Sequence, residues 1–156
     1  MKATIKTILP AICVVLMFAL TGCTKSNEDL IIGSWQTTRY IGSYSVSGYS
    51  DEAMNIKETW DEAPGGSATL TFRDDNTVTS KQTFDDESFT IDATYSIDGD
   101  KLTIKYSTGD WDSEVFTIAK LDKKELHLYS KEEDSEMVEG ELISFCYEET
   151  IILKKI

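Results

Sequence analysis

Chemistry needs a small set of reactive groups at fixed separations, and in this chain of 156 residues such groups are few. The single histidine, His127, lies between Leu126 and Leu128, where β alternation turns it outward as a solvated residue. One imidazole supplies neither a two-histidine zinc site nor, by spacing, a Ser-His-Asp set. Carboxylates are abundant, but a glycosidase pair is defined by a through-space separation that chain spacing does not provide. The oxygen-rich turns Asp85-Asp86-Glu87, Asp98-Gly99-Asp100 and Glu132-Glu133-Asp134 lack the loop grammar of an EF-hand and read as ordinary solvated turns. The expectation is a non-catalytic chain with no metal site and no cofactor.

Other side chains suit binding better than catalysis. Arg39 shares strand parity with Trp35, and the only other arginine is Arg73. If that face lines a closed sheet, the Arg39 guanidinium can pair with the carboxylate of a fatty-acid-like ligand; an internal salt bridge, or a position already outside the sheet, is the alternative. Tyr44, Tyr49 and Trp60 mix aromatic rings with serine and glycine, as recognition loops do, and a plain flexible loop is equally consistent with them. Cys146, on the face opposite Ile143, Phe145 and Tyr147, reads as an inert buried thiol.

The segment from Met1 to Gly22 carries Lys2 and Lys6, then an apolar run from Ile8 to Leu20, then small residues: a secretory leader. The run falls short of the ~20 apolar residues that cross a ~30 Å hydrocarbon core, and Pro10 interrupts it, which disfavours a permanent transmembrane helix. Leu20-Thr21-Gly22-Cys23 resembles the lipobox of bacterial lipoproteins. The resemblance implies lipidation of Cys23 with acyl chains such as palmitate, and cleavage of the leader at that cysteine. Two acyl chains, at about 0.8 kcal/mol per buried methylene, anchor a protein without a spanning helix. Thr24-Lys25-Ser26-Asn27-Glu28-Asp29 then resembles the surface-export signal of some Gram-negative lipoproteins. The expected location is the outer membrane, with the choice of face left open.

Without Lys2 and Lys6, 13 of the 15 basic residues remain against 28 acidic ones, a mature net charge of −15. Phosphate backbones and anionic head groups repel such a chain, so nucleic acid is not an expected partner. The organisation expected is a signal peptide over 1–22, a lipidated tether over 23–29 and one domain over 30–156, expected to be a monomer. A domain of that size buries about 68% of its unfolded surface. With Cys13 lost in the leader and Cys23 lipidated, Cys146 has no intrachain partner for a disulfide.

The elements that must position these residues follow from turn chemistry and alternation. Asn27 can cap a helical turn that Gly33 ends. A strand follows over Gly33 to Ile41, Gly42 to Ser50 reads as a loop or weak strand, and Asp51 to Pro64 stays open between strand and helical turn. Ala68-Leu70-Phe72 alternate up to the turn Asp74-Asp75-Asn76. Phe89-Ile91-Ala93-Tyr95-Ile97 give the clearest alternation in the chain. Strands are expected over Leu102 to Tyr106, Trp111 to Leu121 and Glu125 to Ser130, with an acidic connection from Glu132 to Gly140 and a final strand over Leu142 to Leu153. Short strands in sequence order predict an all-β antiparallel up-and-down barrel of about eight strands, a size that admits side chains or one small ligand. A β-sandwich is the alternative fold.

Gly33-Ser34-Trp35, opening the first strand after a helical turn, resembles the G-x-W motif of the lipocalins. The rhythm of Leu70-Thr71-Phe72, of Tyr95-Ser96-Ile97-Asp98-Gly99-Asp100-Lys101-Leu102 and of Ile118-Ala119-Lys120-Leu121 before Glu125-Leu126 is similar to the lipocalin-like domains of small bacterial lipoproteins. The resemblance implies that the tryptophan plugs the narrow end of the barrel. Lipocalins often stack an arginine from the last strand on that ring; here the last strand offers Lys154 and Lys155. The implied function is binding of a small apolar or amphipathic ligand, with Trp35, Phe72, Phe89, Tyr95, Leu102 and Leu126 lining or plugging the interior. A filled barrel, acting through its loops as a protein or glycan interaction module at the cell surface, is the other reading.

Overall fold

Gly33 enters the first strand at φ +126°, a conformation L side chains rarely adopt, and so breaks the chain sharply out of a short helix. That helix, α1 (Asn27–Ile31), carries Glu28 and Asp29 in its first turn. Its cap is Ser26 rather than the expected Asn27: the Ser26 hydroxyl accepts from the Asp29 N–H at 3.4 Å, while Asn27 Nδ2 donates to Gly99 O at 2.9 Å and ties the helix to a strand turn. The computed structural model describes residues 26–85, 87–107 and 113–156. The leader, Cys23 and the first residues of the tether lie outside the described residues, as does Trp111.

Among the described residues nine strands follow: β1 (Gly33–Ser47), β2 (Ile56–Glu62), β3 (Ser67–Phe72), β4 (Thr77–Phe84), β5 (Glu87–Asp98), β6 (Lys101–Tyr106), β7 (Glu114–Leu121), β8 (Glu125–Val138) and β9 (Glu141–Lys155). All pairings are antiparallel, and the sheet order β2-β1-β3-β4-β5-β6-β7-β8-β9 closes through β1 against β9. Eight strands thus form a closed barrel, with β2 as one extra strand, and the sandwich alternative is excluded because closure removes the edges a sandwich keeps. β1 serves two neighbours on one side: Gly33–Gln36 pair with β3, and Tyr40–Val46 pair with β2.

Three sequence expectations change here. β1 continues through Ser47, because β9 supplies ladder partners from Trp35 to Ser47, broken only at Thr38, so Gly42–Ser47 is full strand rather than the expected loop or weak strand. The ambiguous stretch becomes a 3-10 turn (Glu52–Met54) followed by β2. The acidic run Glu132–Val138 is strand, registered residue by residue on β9 from Glu132↔Tyr147 to Val138↔Glu141.

Trp35 is 0% exposed at the closed end, in a cluster with Ile31, Phe72, Val78, Tyr95, Leu102, Leu126 and Leu153. Its indole N–H donates to Ile31 O at 2.6 Å, so the plug fastens α1 to the barrel floor. Lys155 of the last strand covers the ring: Nζ lies 4.7 Å from the Trp35 ring centroid and donates to Ile32 O at 2.7 Å and Leu30 O at 3.3 Å.

Candidate functional site

The main core cluster ends at Phe116 and Leu128, and β1, β8 and β9 run on past it, with Val46 and Ile143 buried separately towards their far ends. One extra residue decides which side chains enter the upper half. Thr37 pairs with Leu153 and Arg39 with Ile152, leaving Thr38 as a bulge that reverses the parity of β1. Tyr40, Gly42 and Tyr44 therefore inherit the inward face of Trp35. The parity expectation for Arg39 is corrected accordingly. Arg39 lies outside, with Nε and Nη2 donating to the Asp61 carboxylate at 2.5 and 2.6 Å and both side chains about half exposed.

Two recesses meet above the core. An interior cavity of about 180 Å³ is lined by Thr37, Tyr40, Ala68, Leu70, Ser80 and Ile104 among others. A wider mouth of about 630 Å³ opens between β7 and the β8–β9 pair, past Ser130, Glu132, Tyr147 and Glu149. Glu114, Phe116 and Ile151 line both. The floor is apolar and the rim carries carboxylates and aromatic rings.

The rim is held by specific bonds. Tyr106 Oη donates to Glu114 Oε2 at 2.7 Å, and burial together with that carboxylate holds the Tyr106 phenol far above its ordinary pKa. Trp60, reaching in from β2, donates its indole N–H to Glu149 Oε1 at 3.2 Å and packs against Tyr147, with ring centroids 5.5 Å apart at 33°. The Trp60 ring crosses β1 over Gly42. A Cβ there would lie 2.5 Å from the ring and 2.4 Å from Glu148 O, so only glycine lets the ring lie flat on the strand. Burial, then the neighbouring Glu149 and Glu132 carboxylates, push the Tyr147 phenol up to about 12.

The residues anticipated from sequence divide between the two halves. Trp35, Phe72, Tyr95, Leu102 and Leu126 are buried in the packed half and line neither recess. Phe72 and Tyr95 meet edge to face at 5.0 Å, and Tyr95 Oη donates to Arg73 O at 2.8 Å. Phe89 does not line the interior: it is 53% exposed, because β5 outruns β6, which pairs with it only from Ala93 onward. Tyr44 and Trp60 sit on strands rather than a loop; Tyr44 pairs with Tyr147 and Gly42 with Trp60, which brings the two aromatics to one rim. Tyr49 lies apart, in the β1–β2 link, where its N–H and C=O are both bonded to the Asn55 side chain at 3.2 and 3.1 Å.

His127 faces outward but is shielded, with its side chain 24% exposed and Nε2 buried without a hydrogen-bond partner, 3.6 Å from Glu125 Oε2. Cys146 is a free, half-buried thiol. Among the described residues no group of three or more His, Cys, Asp or Glu is arranged to hold a metal ion.

Sequence reading missed Tyr106, Glu114, Phe116, Glu132 and Glu149 as rim residues. The alternation Leu102-Ile104-Tyr106 and Tyr147-Glu149-Ile151-Leu153 carries the parity for two of them. Nothing in composition signals that the charges of Glu114 and Glu132 point inward.

A family model described as a lipocalin-like domain matches residues 31–128. Among solved structures, the chain is similar to a lipocalin-like protein from Bacteroides uniformis ATCC 8492, at 17% identity over 81% of this chain and 98% of that one, with a TM-score of 0.46. It is also similar to an uncharacterized protein from Bacteroides eggerthii DSM 20697, at 12% identity over 80% of this chain and 98% of that one, with a TM-score of 0.48. No curated protein matches the chain.

Proposed function

This chain belongs to the lipocalin-like domain family, and we propose that it is a non-catalytic, lipid-anchored binding protein of the outer membrane that holds a small apolar or amphipathic molecule in the open half of its barrel. The observation that carries the reading is the division of the barrel: a packed floor from Trp35 to Leu128, and above it the cavity and mouth that meet at Phe116 and Ile151. Ligand sites are commonly concave, apolar-floored and furnished with a few oriented polar groups, and the mouths of β-barrels are a usual place for them. Native mass spectrometry of the chain from Thr24 to Ile156, purified from cells, is expected to show a discrete mass that denaturing spectra lack. A bare polypeptide that also refuses alkyl probes argues for the filled interaction module instead.

The anchor has its own test. With lipidation at Cys23, radiolabelled palmitate enters the protein and the protein sediments with membranes; Cys23→Ser is expected to lose both label and sedimentation. An unlabelled wild-type protein ends this part of the proposal and leaves ligand binding untouched.

A further inference from the structure

The charge of the recess is predominantly negative. Glu114, Glu132 and Glu149 line the mouth, and the donors that reach them are neutral: the Tyr106 hydroxyl on Glu114 and the Trp60 indole on one oxygen of Glu149. Of the nearby cations, Lys131 lines the same mouth but its ammonium is held by Glu133 at 2.7 Å, Lys57 lines the neighbouring groove with Trp60 and Glu149, and Arg39 is held outside by Asp61. Beside these carboxylates stand the Trp60 and Tyr147 rings, 5.5 Å apart, with Tyr44 paired to Tyr147 on the same face. Aromatic faces attract cations through the ring quadrupole, and the attraction grows as water is excluded. A carboxylate within reach adds a charge-assisted hydrogen bond.

We infer that the recess selects amphipathic cations: an ammonium group seated at the rim between the Trp60–Tyr147 pair and the carboxylates of Glu149 and Glu132, with an apolar tail running over Phe116 and Ile151 into the interior cavity. The inference rests on the binding reading above and specifies the ligand's charge. It replaces the anionic ligand that an inward Arg39 would have favoured. A carboxylate head at this rim would meet Glu114, Glu132 and Glu149, against one lining ammonium, Lys131, that Glu133 already holds.

The test compares octylamine, octanol and octanoate on the chain from Thr24 to Ile156, which contains the whole closed barrel and its plug helix. Binding is read by calorimetry and tryptophan fluorescence. Octylamine is expected to bind about tenfold more tightly than octanol, and octanoate more weakly than either. Glu149→Gln and Glu132→Gln are each expected to cut octylamine affinity by about three- to tenfold while leaving octanol affinity within about twofold. Asp74→Asn removes the same charge from an exposed turn at the closed end and is expected to leave the preference intact, which separates the rim from the bulk charge of an acidic protein. Octanol or octanoate binding as tightly as octylamine overturns the cation preference while preserving the binding site; so does an equal loss in Asp74→Asn. Refusal of all three probes overturns the binding site and the preference together.

Discussion

Replacing Trp35 by alanine is expected to remove about 3–5 kcal/mol of folding free energy, the cost of deleting a fully buried large aromatic side chain whose neighbours cannot collapse into the space. The neighbours here are strand residues fixed by ladder pairing on both sides, with Trp35 itself registered between Leu70 of β3 and Lys155 of β9. The loss extends beyond the cavity. The indole N–H no longer holds Ile31 O, and the Lys155 ammonium loses the ring beneath it while its bonds to Leu30 and Ile32 have less to brace against. Domains of this kind keep about 5–15 kcal/mol in total, so a large share of the stability goes with one side chain. Trp35→Phe retains most of the apolar volume and forfeits the indole bond, for an added cost of about 1 kcal/mol. Urea denaturation followed by far-UV circular dichroism measures both. A Trp35→Ala loss below about 1 kcal/mol would mean that the floor is held by the strands alone and that the tryptophan is a passenger.

That plug was legible in the sequence because its signals are local: a glycine at a backbone break, a tryptophan two residues on, and alternation on both flanks. The same holds for β3 to β6, where one face is buried, one is wet, and the turns carry Asp, Asn and Gly. The site resisted reading because its determinants are not local. The single bulge at Thr38 reverses every later side chain of β1, moving Arg39 out and Tyr40 and Tyr44 in, and no residue type in Thr37-Thr38-Arg39 announces it. The acidic end of β8 shows no alternation because both of its faces are solvated over Lys131–Met137; it is strand because β9 offers it a register. Phe89 fails in the opposite sense. Its alternation is sound and its direction follows, but β6 ends short of it, and among the described residues the ring stays half exposed. Pattern reports which way a side chain points, whereas burial depends on how far the neighbouring strands reach.

The difference between a binder and a filled module is decided in the interior cavity, and two residues there allow the decision to be made without touching the rim. Ala68 on β3 and Ser80 on β4 both line the cavity of about 180 Å³, on adjacent paired strands, opposite Gln82 and Leu70 respectively. Ala68→Leu and Ser80→Leu each place an isobutyl group where the tail of a ligand would lie. If the space is empty in the resting protein, filling it adds apolar contact at little strain, and each variant is expected to gain about 0.5–2 kcal/mol. The double variant is then expected to lose octanol and octylamine affinity by about tenfold or more, since the alkyl chain has nowhere left to go. Stability and binding should therefore move in opposite directions, which a general packing defect cannot produce. Overpacking of an already full core instead costs about 1–3 kcal/mol. That outcome, with probe affinity unchanged, would place any bound molecule wholly in the mouth, against Tyr147 and Glu149, and make the barrel interior a structural core throughout.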